Sequence, residues 1–89
     1  MASILVNERL AACVNVLGAM DSVYRWKGGV ASEREHQVVI KTTADRLPGL
    51  QTRLHELHSY EVPEFIVLPV VGGSETYVGW IKESTVEHG

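Results

Sequence analysis

A long stretch of alternating side chains that ends in a glycine-rich turn dominates the folding pattern of this sequence. From Cys13 the polar and apolar side chains alternate with a period of two, a pattern typical of a β-strand, with a bend expected near Gly18. Lys27-Gly28-Gly29 supplies residues that tolerate φ > 0 in a tight turn. Val30 to Thr43 then returns as a partner strand that ends in β-branched residues. The pattern predicts a long antiparallel hairpin.

The length of this hairpin places its tip beyond the body of the domain. Arms of ten or more residues at about 3.3 Å each reach roughly 33 Å. A compact domain of 89 residues has a radius of gyration of only about 12 Å. Tyr24 and Trp26 lie near the tip, where their own subunit is poorly placed to bury them. We therefore expect a second copy of the chain to cover these aromatic rings.

Helical patterns surround the hairpin. Ser3 to Ala12 is amphipathic, Asp45 to His58 carries leucines at spacings of three and four, and Ser74 can cap a last helix. The apolar run Phe65 to Val70 predicts a buried strand, with Pro69 at its end or edge. If a strand precedes the first helix, the order becomes βαββαβ. This order predicts an α+β, ferredoxin-like sandwich that lacks its first strand in this chain and adds a C-terminal helix.

Composition excludes several classes of function. The 89 residues fit one domain, and the net charge of −3 without a Lys/Arg cluster argues against binding to nucleic acid. The longest apolar run, Phe65 to Val71, is far shorter than the roughly 20 residues that span a membrane. One cysteine, Cys13, forms no intrachain disulfide, so we expect a reducing cytoplasm and no membrane partner.

The segment around the second helix end carries the densest set of ionisable side chains. His55 and His58 lie three residues apart and share a helical face, where a carboxylate from Glu61 or Glu64 could complete a Cu(II) or Zn(II) site. The simpler interpretation, which spacing alone favours, is two solvated histidines. Tyr60 with the two glutamates could form an acid–base cluster, but no nucleophile or oxyanion loop accompanies them. We therefore predict that the chain is not an enzyme.

Three other side chains allow a functional and a structural interpretation. Cys13 could be a soft-metal ligand or a redox thiol, although a small core residue is the commoner role. His36 could be a ligand, but a hydrogen-bonded histidine at an interface is favoured. Aromatic residues could line a ligand cleft, and packing between subunits is the alternative that we prefer: Tyr24, Trp26, Tyr77 and Trp80.

Five sequence blocks resemble the CutA divalent-cation tolerance family. The blocks occur in order and cover nearly the whole chain, which makes their combination specific. They are Glu8-Arg9-Leu10-Ala11-Ala12-Cys13-Val14-Asn15-Val16, Ser22-Val23-Tyr24-Arg25-Trp26-Lys27-Gly28, Lys41-Thr42-Thr43, His58-Ser59-Tyr60-Glu61-Val62-Pro63-Glu64 and Tyr77-Val78-Gly79-Trp80-Ile81.

The resemblance implies a ferredoxin-like subunit in a tight homotrimer, similar in architecture to the PII signalling proteins. It implies binding of copper or another divalent cation, and no enzymatic activity. We expect metal ligands at His58, Glu61 and Glu64. The trimer interface, or a cleft within it, is expected to contain Tyr24, Trp26, His36, Tyr60 and Trp80. A PII-like module that binds a small ligand or signals through clefts between subunits is the alternative.

Two departures from the family pattern affect the expected metal site. Residues 1–89 begin inside the first helix, so we expect a single, N-terminally shortened domain without the first strand and its copper-linked cysteine. Cys13 occupies a different position from that cysteine. Of two adjacent histidines in the family, only His58 is matched, because Leu57 precedes it. In the family fold the missing strand is central, so its absence predicts unpaired strand edges.

Overall fold

The structure, a computed structural model, describes residues 1–57 and 65–86. Its elements are helix α1 (Ala2–Asn7), strands β1 (Cys13–Trp26) and β2 (Gly29–Lys41), a short 3-10 helix (Ala44–Arg46), and helices α2 (Leu47–Leu57) and α3 (Glu75–Ser84). Among these residues the sheet has two antiparallel strands. The predicted α+β class, long hairpin and C-terminal helix are confirmed, while the ferredoxin-like arrangement stays a prediction.

The hairpin forms as its alternation predicts. Its register pairs Cys13 with Lys41 at the base and Trp26 with Gly29 at the tip. Lys27 and Gly28 have φ values of 49° and 79°, so both adopt the left-handed conformation of a two-residue turn that matches the strand twist. Gly29, predicted as part of the turn, is already paired in the strand. The β2 strand ends at Lys41, two residues before the predicted end.

An irregularity interrupts the hairpin at the predicted bend. The register shifts between Val16 and Ala19, on either side of Gly18, as in a β-bulge. The His36 ring contacts the same place, because its Nδ1 lies 3.1 Å from the Leu17 carbonyl oxygen. A carbonyl oxygen only accepts hydrogen bonds, so Nδ1 carries the proton. The histidine therefore pairs with a backbone acceptor that the irregular ladder leaves available.

Helix α1 is shorter than its amphipathic pattern predicts. It ends at Asn7 rather than Ala12, because Arg9 adopts a left-handed conformation with φ of 59°. The Leu10 and Ala11 backbone N–H groups both donate to the Leu5 carbonyl oxygen, at 3.0 and 3.3 Å. The Ala12 N–H then donates to the Lys41 carbonyl oxygen at 2.8 Å, which joins this turn to the base of the hairpin.

The other two helices follow the predicted start and cap signals. The pattern from Asp45 divides into the short 3-10 helix and α2, with Pro48 in the first turn, where its missing N–H costs little. Ser74 caps α3, because its Oγ accepts a hydrogen bond from the Tyr77 N–H at 3.3 Å. None of the helices in the described part of the chain is long and apolar enough to cross a membrane.

The run from Phe65 to Val70 does not form the buried strand that its composition predicts. Residues 65–74 form neither helix nor strand. The side chains of Leu68, Val70 and Val71 are 82%, 79% and 99% exposed. A strand is stabilised by backbone hydrogen bonds to a neighbour, and β1 and β2 pair with each other. The apolar run thus lacks the neighbouring strand that a buried position requires.

A small core holds the helices against the base of the hairpin. Its fully buried residues are Leu5, Ala11 and Leu50, and partly buried side chains surround them. Thr85 is also buried, with 2% of its surface exposed. Its hydroxyl donates to the Ile81 carbonyl oxygen at 2.9 Å and lies 3.2 Å from the Thr43 hydroxyl, which can donate to it. Arg46 Nε donates to the Thr85 carbonyl oxygen at 2.6 Å, so the end of α3 is hydrogen-bonded to the 3-10 helix that precedes α2.

The chain is extended and exposes a large surface for its length. Its principal extents are 45, 28 and 20 Å, and its radius of gyration is 15.1 Å. A compact domain of this length has a radius of about 12 Å. The accessible surface is 6879 Å². A folded monomer of 9.8 kDa exposes roughly 5,200 Å², so this chain exposes roughly 1,700 Å² more.

We expect Thr85→Val to lower the free energy of unfolding by about 1–2 kcal/mol, because it keeps the side-chain shape but removes the buried hydroxyl that bonds to the Ile81 carbonyl oxygen and to the Thr43 hydroxyl. Thr52→Val is the control, since the exposed Thr52 hydroxyl only donates to the Pro48 carbonyl oxygen, and a change below about 0.5 kcal/mol is expected. Urea denaturation at one fixed protein concentration measures both. Equal midpoints for the two variants would contradict the role of Thr85.

Candidate functional site

Four predicted site residues lie outside the described residues: His58, Tyr60, Glu61 and Glu64. Their proposed roles as metal ligands and interface residues therefore stay predictions. His55, the other histidine of the predicted pair, lies exposed near the end of α2. Within residues 1–57 and 65–86, no group of three His, Cys, Asp or Glu side chains is arranged to hold a metal ion.

The base of the hairpin brings together residues that are distant in the sequence. We call Cys13, Lys41, Tyr77 and Trp80 the base cluster. Cys13 opens β1 and pairs in register with Lys41, the last residue of β2. Lys41 Nζ donates to the Tyr77 hydroxyl at 3.2 Å and lies 5.5 Å from the centre of the Tyr77 ring. The Tyr77 and Trp80 rings are 5.5 Å apart and tilted by 41°.

The chain on both sides of Lys41 fixes the position of this cluster. The Ala12 N–H bonds to the Lys41 carbonyl oxygen, and the Thr42 hydroxyl donates to the Leu10 carbonyl oxygen at 2.8 Å. On the other side, the Ser74 cap sets the start of α3 and hence the direction of Tyr77. Hydrogen bonds therefore fix both the backbone around Lys41 and the start of α3, toward which the Lys41 side chain extends.

Lys41 is suited to binding rather than to nucleophilic chemistry. The hydrogen bond to the Tyr77 hydroxyl raises the pKa of Lys41 above its ordinary value, because it stabilises the charged ammonium. A protonated amine has no lone pair for attack on a carbonyl group. The Lys41 ammonium and the rings of Tyr77 and Trp80 instead form a cationic, aromatic surface that could contact an anion or a planar group.

Cys13 occupies a half-buried position in the base cluster. It is a free thiol, and its Sγ makes only a weak contact with the Asn15 side-chain oxygen at 3.7 Å. Its pairing with Lys41 places a permanent positive charge nearby, which disfavours a divalent cation at the thiol. The structural interpretation of Cys13 as a small packing residue agrees with its half-buried position.

The hairpin presents the other predicted interface residues at its surface. Tyr24 and Trp26 are 38% and 41% exposed. The Tyr24 hydroxyl donates to a Glu33 carboxylate oxygen at 2.7 Å, and this hydrogen bond raises the pKa of Tyr24 above its ordinary value. His36 is exposed on β2, about midway along the hairpin. These side chains do not meet Trp80, which belongs to the base cluster at the opposite end.

Sequence reasoning named Trp80 as a site residue but missed Lys41. The signal was available, because Lys41-Thr42-Thr43 is one of the five recognised blocks and Tyr77 begins another. Their contact spans 36 residues of sequence, so spacing within either block does not reveal it.

Comparisons with known proteins agree on one family. The family model described as CutA1 divalent ion tolerance protein matches residues 1–84. The divalent-cation tolerance protein CutA of Thermus thermophilus is 44% identical over 85 residues, which are 96% of this chain and 82% of that protein. Human protein CutA is 39% identical over 96% of this chain, but this chain covers only 48% of the human protein.

Solved structures share the same fold. The divalent cation tolerance protein of Thermus thermophilus superposes with a TM-score of 0.92 at 44% identity, covering 96% of this chain and 82% of that one. The PII-like protein CutA from Nostoc superposes with a TM-score of 0.87 at 38% identity, with 96% and 83% covered.

We expect Tyr77→Phe to lower the pKa of Lys41 toward its ordinary value, because the variant removes the hydroxyl that accepts from the ammonium. Tyr24→Phe is the matched control, since it removes a hydroxyl that bonds to Glu33 instead. NMR titration of the Lys41 side-chain signals measures the pKa. An unchanged value in Tyr77→Phe, or an equal change in the control, would contradict the assigned cause.

Proposed function

Because the chain belongs to the CutA1 divalent ion tolerance protein family, we propose that it is a non-enzymatic homotrimer that binds copper or another divalent cation. The proposed ligands are His58, Glu61 and Glu64. We place its action in the cytoplasm, in keeping with its single free cysteine. The large exposed surface of the subunit is the observation that carries the proposed assembly.

The size of this surface supports two interfaces for each subunit. The excess of roughly 1,700 Å² divides into about 850 Å² for each of two contacts, near the roughly 800 Å² per partner of a standard interface. A closed ring of three subunits gives each chain two such contacts. Tyr24, Trp26 and Val30 expose apolar surface near the hairpin tip, where a neighbouring subunit would bury it.

The chemistry of the proposed ligands suits a divalent cation. One imidazole nitrogen and two carboxylates are ligands that Cu(II) and Zn(II) accept, whereas Cu(I) prefers thiolates and thioethers. Cys13, the chain's thiol, lies beside the Lys41 ammonium and is a poor competitor for the cation. The metal would then be bound through His58, Glu61 and Glu64 rather than at the base cluster.

A PII-like role in binding a small ligand is the second candidate. It is favoured by the base cluster, where a Lys41 ammonium lies over the Tyr77 ring beside Trp80. It is also favoured by the similarity to the Nostoc protein described as PII-like. Thermal shifts with metabolites but not with metals would select this role over metal binding.

We expect light scattering to give a mass about three times the 9.8 kDa of one chain. In a dimer each chain has one partner, and a single standard interface would leave part of the excess exposed surface uncovered. Tyr24→Ser combined with Trp26→Ser should shift the mass toward the monomer, since it removes the exposed aromatic rings near the tip. Arg25→Ser, a change at an exposed polar position between them, is the control and should remain trimeric. A monomeric wild type would contradict the proposed assembly.

We expect His58→Ala to weaken Cu(II) binding in isothermal titration calorimetry by at least about 10–100-fold. Loss of a residue that only hydrogen-bonds to a metal ligand already costs that much, and His58 is proposed to bind the metal directly. His55→Ala is the matched control, because His55 is exposed on α2 and is not among the proposed ligands. Equal heats from wild type and His58→Ala would remove His58 from the metal site. Loss of binding in the control alone would place the metal on α2 instead.

A further inference from the structure

We propose that the cleft between the turn after α1 and helix α3 binds a small organic carboxylate. The cleft has a volume of about 290 Å³. Its lining includes a cation, an amide, a hydroxyl, an indole and two methyl groups, from Arg9, Asn7, Ser84, Trp80, Ala11 and Ala12. This site lies within one chain and uses no metal, so it is independent of the proposed cation binding.

The backbone holds Arg9 in this cleft at an energetic cost. Its φ of 59° lies in the left-handed region, which is unfavourable for any residue other than glycine. The hydrogen bonds that flank it, from the Leu10 and Ala11 N–H groups to the Leu5 carbonyl oxygen, define the turn. Glycine would adopt this conformation without strain but would bring no side chain. An arginine here places a half-buried cationic side chain beside the cleft.

Among residues 1–57 and 65–86, no neighbour neutralises the charge of Arg9. Glu8, the adjacent carboxylate, is engaged by Arg53, whose Nε lies 2.9 Å and whose second guanidinium nitrogen lies 3.0 Å from its two oxygens. In the described part of the chain, no carboxylate forms an ion pair with Arg9. The Glu8–Arg53 pair thus occupies the acid next to Arg9 in the sequence, and Arg9 retains the capacity to bind an external anion.

The surroundings of Arg9 favour a carboxylate with an apolar body. A guanidinium matches a carboxylate with two parallel hydrogen bonds. Trp80 and Ser84 are four residues apart and share one face of α3, so the indole lies beside a hydroxyl that can also donate. Ala11 and Ala12 are buried and supply an apolar floor. The indole is 43% exposed and leaves apolar surface for the ligand to cover.

The volume of the cleft limits the size of the ligand. Binding sites for drug-sized molecules occupy about 300–1,000 Å³, and this cleft is at the lower limit. A six-membered ring with one carboxylate is an appropriate probe. Cyclohexanecarboxylate is suitable because it carries no aromatic ring of its own that would shift protein signals. Cyclohexanecarboxamide has the same shape without the charge.

The test follows the two tryptophan indole N–H signals of the full chain by NMR during titration with cyclohexanecarboxylate, with Trp26→Phe used only to assign them. We expect a saturable shift of the Trp80 signal and none of the Trp26 signal, which reports on the distant hairpin tip. Cyclohexanecarboxamide should bind at least tenfold more weakly. No saturable shift at Trp80, or equal binding of the amide, would overturn the proposal.

Substitution of Arg9 separates binding from folding. Arg9→Gly removes the guanidinium and relieves the left-handed strain, so it should unfold no more easily than wild type and bind the carboxylate at least tenfold more weakly. Arg25→Gln, which removes an exposed arginine on the hairpin, should bind as wild type does. Unchanged affinity in Arg9→Gly, or an equal loss in Arg25→Gln, would overturn the proposal. If phosphate bound as tightly as cyclohexanecarboxylate, the proposal that the cleft recognises the apolar body of a carboxylate would be overturned.

Discussion

The pairing of Cys13 with Lys41 at the base of the hairpin positions three other long-range contacts in this chain. The hydrogen bonds between the two strands continue one residue before β1, because the Ala12 N–H donates to the Lys41 carbonyl oxygen. Thr42 then binds the turn after α1, and the Lys41 ammonium reaches Tyr77 on α3. A change in register at this point would move all three contacts at once.

Polar contacts carry much of the tertiary organisation because the core is small. Leu5, Ala11 and Leu50 supply little buried apolar surface, as expected for a chain of 89 residues that extends a hairpin away from its body. The end of α3 is held instead by Thr85, Thr43 and Arg46. The small core leaves apolar side chains uncovered, both on the hairpin and along residues 66–71.

The chemistry of the described residues favours binding over catalysis. Lys41 is held as a cation, Cys13 has no activating base among its contacts, and Tyr24 is held protonated by Glu33. Aromatic faces and cations are instead presented at three places: the hairpin tip, the base cluster and the cleft beside Arg9. Such surfaces are suited to contacts with aromatic groups and small anions. Membership of a family named for divalent ion tolerance is consistent with such a role.

Much of the fold follows from local signals in the sequence. Alternation from Cys13 predicts the hairpin, and Lys27-Gly28 predicts its turn. Gly18 predicts the bend, and Ser74 predicts the start of α3. Each depends on side chains within a few residues of one another, so period and turn chemistry are sufficient. The sequence blocks were likewise enough to identify the family, since their order does not depend on contacts.

Tertiary structure decided the features that need a distant partner. Helix α1 ends at Asn7 because the following turn must meet Lys41, although its apolar pattern continues to Ala12. The run from Phe65 has the composition of a buried strand but is exposed without a neighbour to pair with. The base cluster depends on the contact between Lys41 and Tyr77, which are 36 residues apart. The ion pair that occupies Glu8, the acid next to Arg9 in the sequence, joins it to Arg53, 45 residues away. Local sequence determines which conformation a segment prefers, whereas burial and charge pairing depend on what the rest of the chain places beside it.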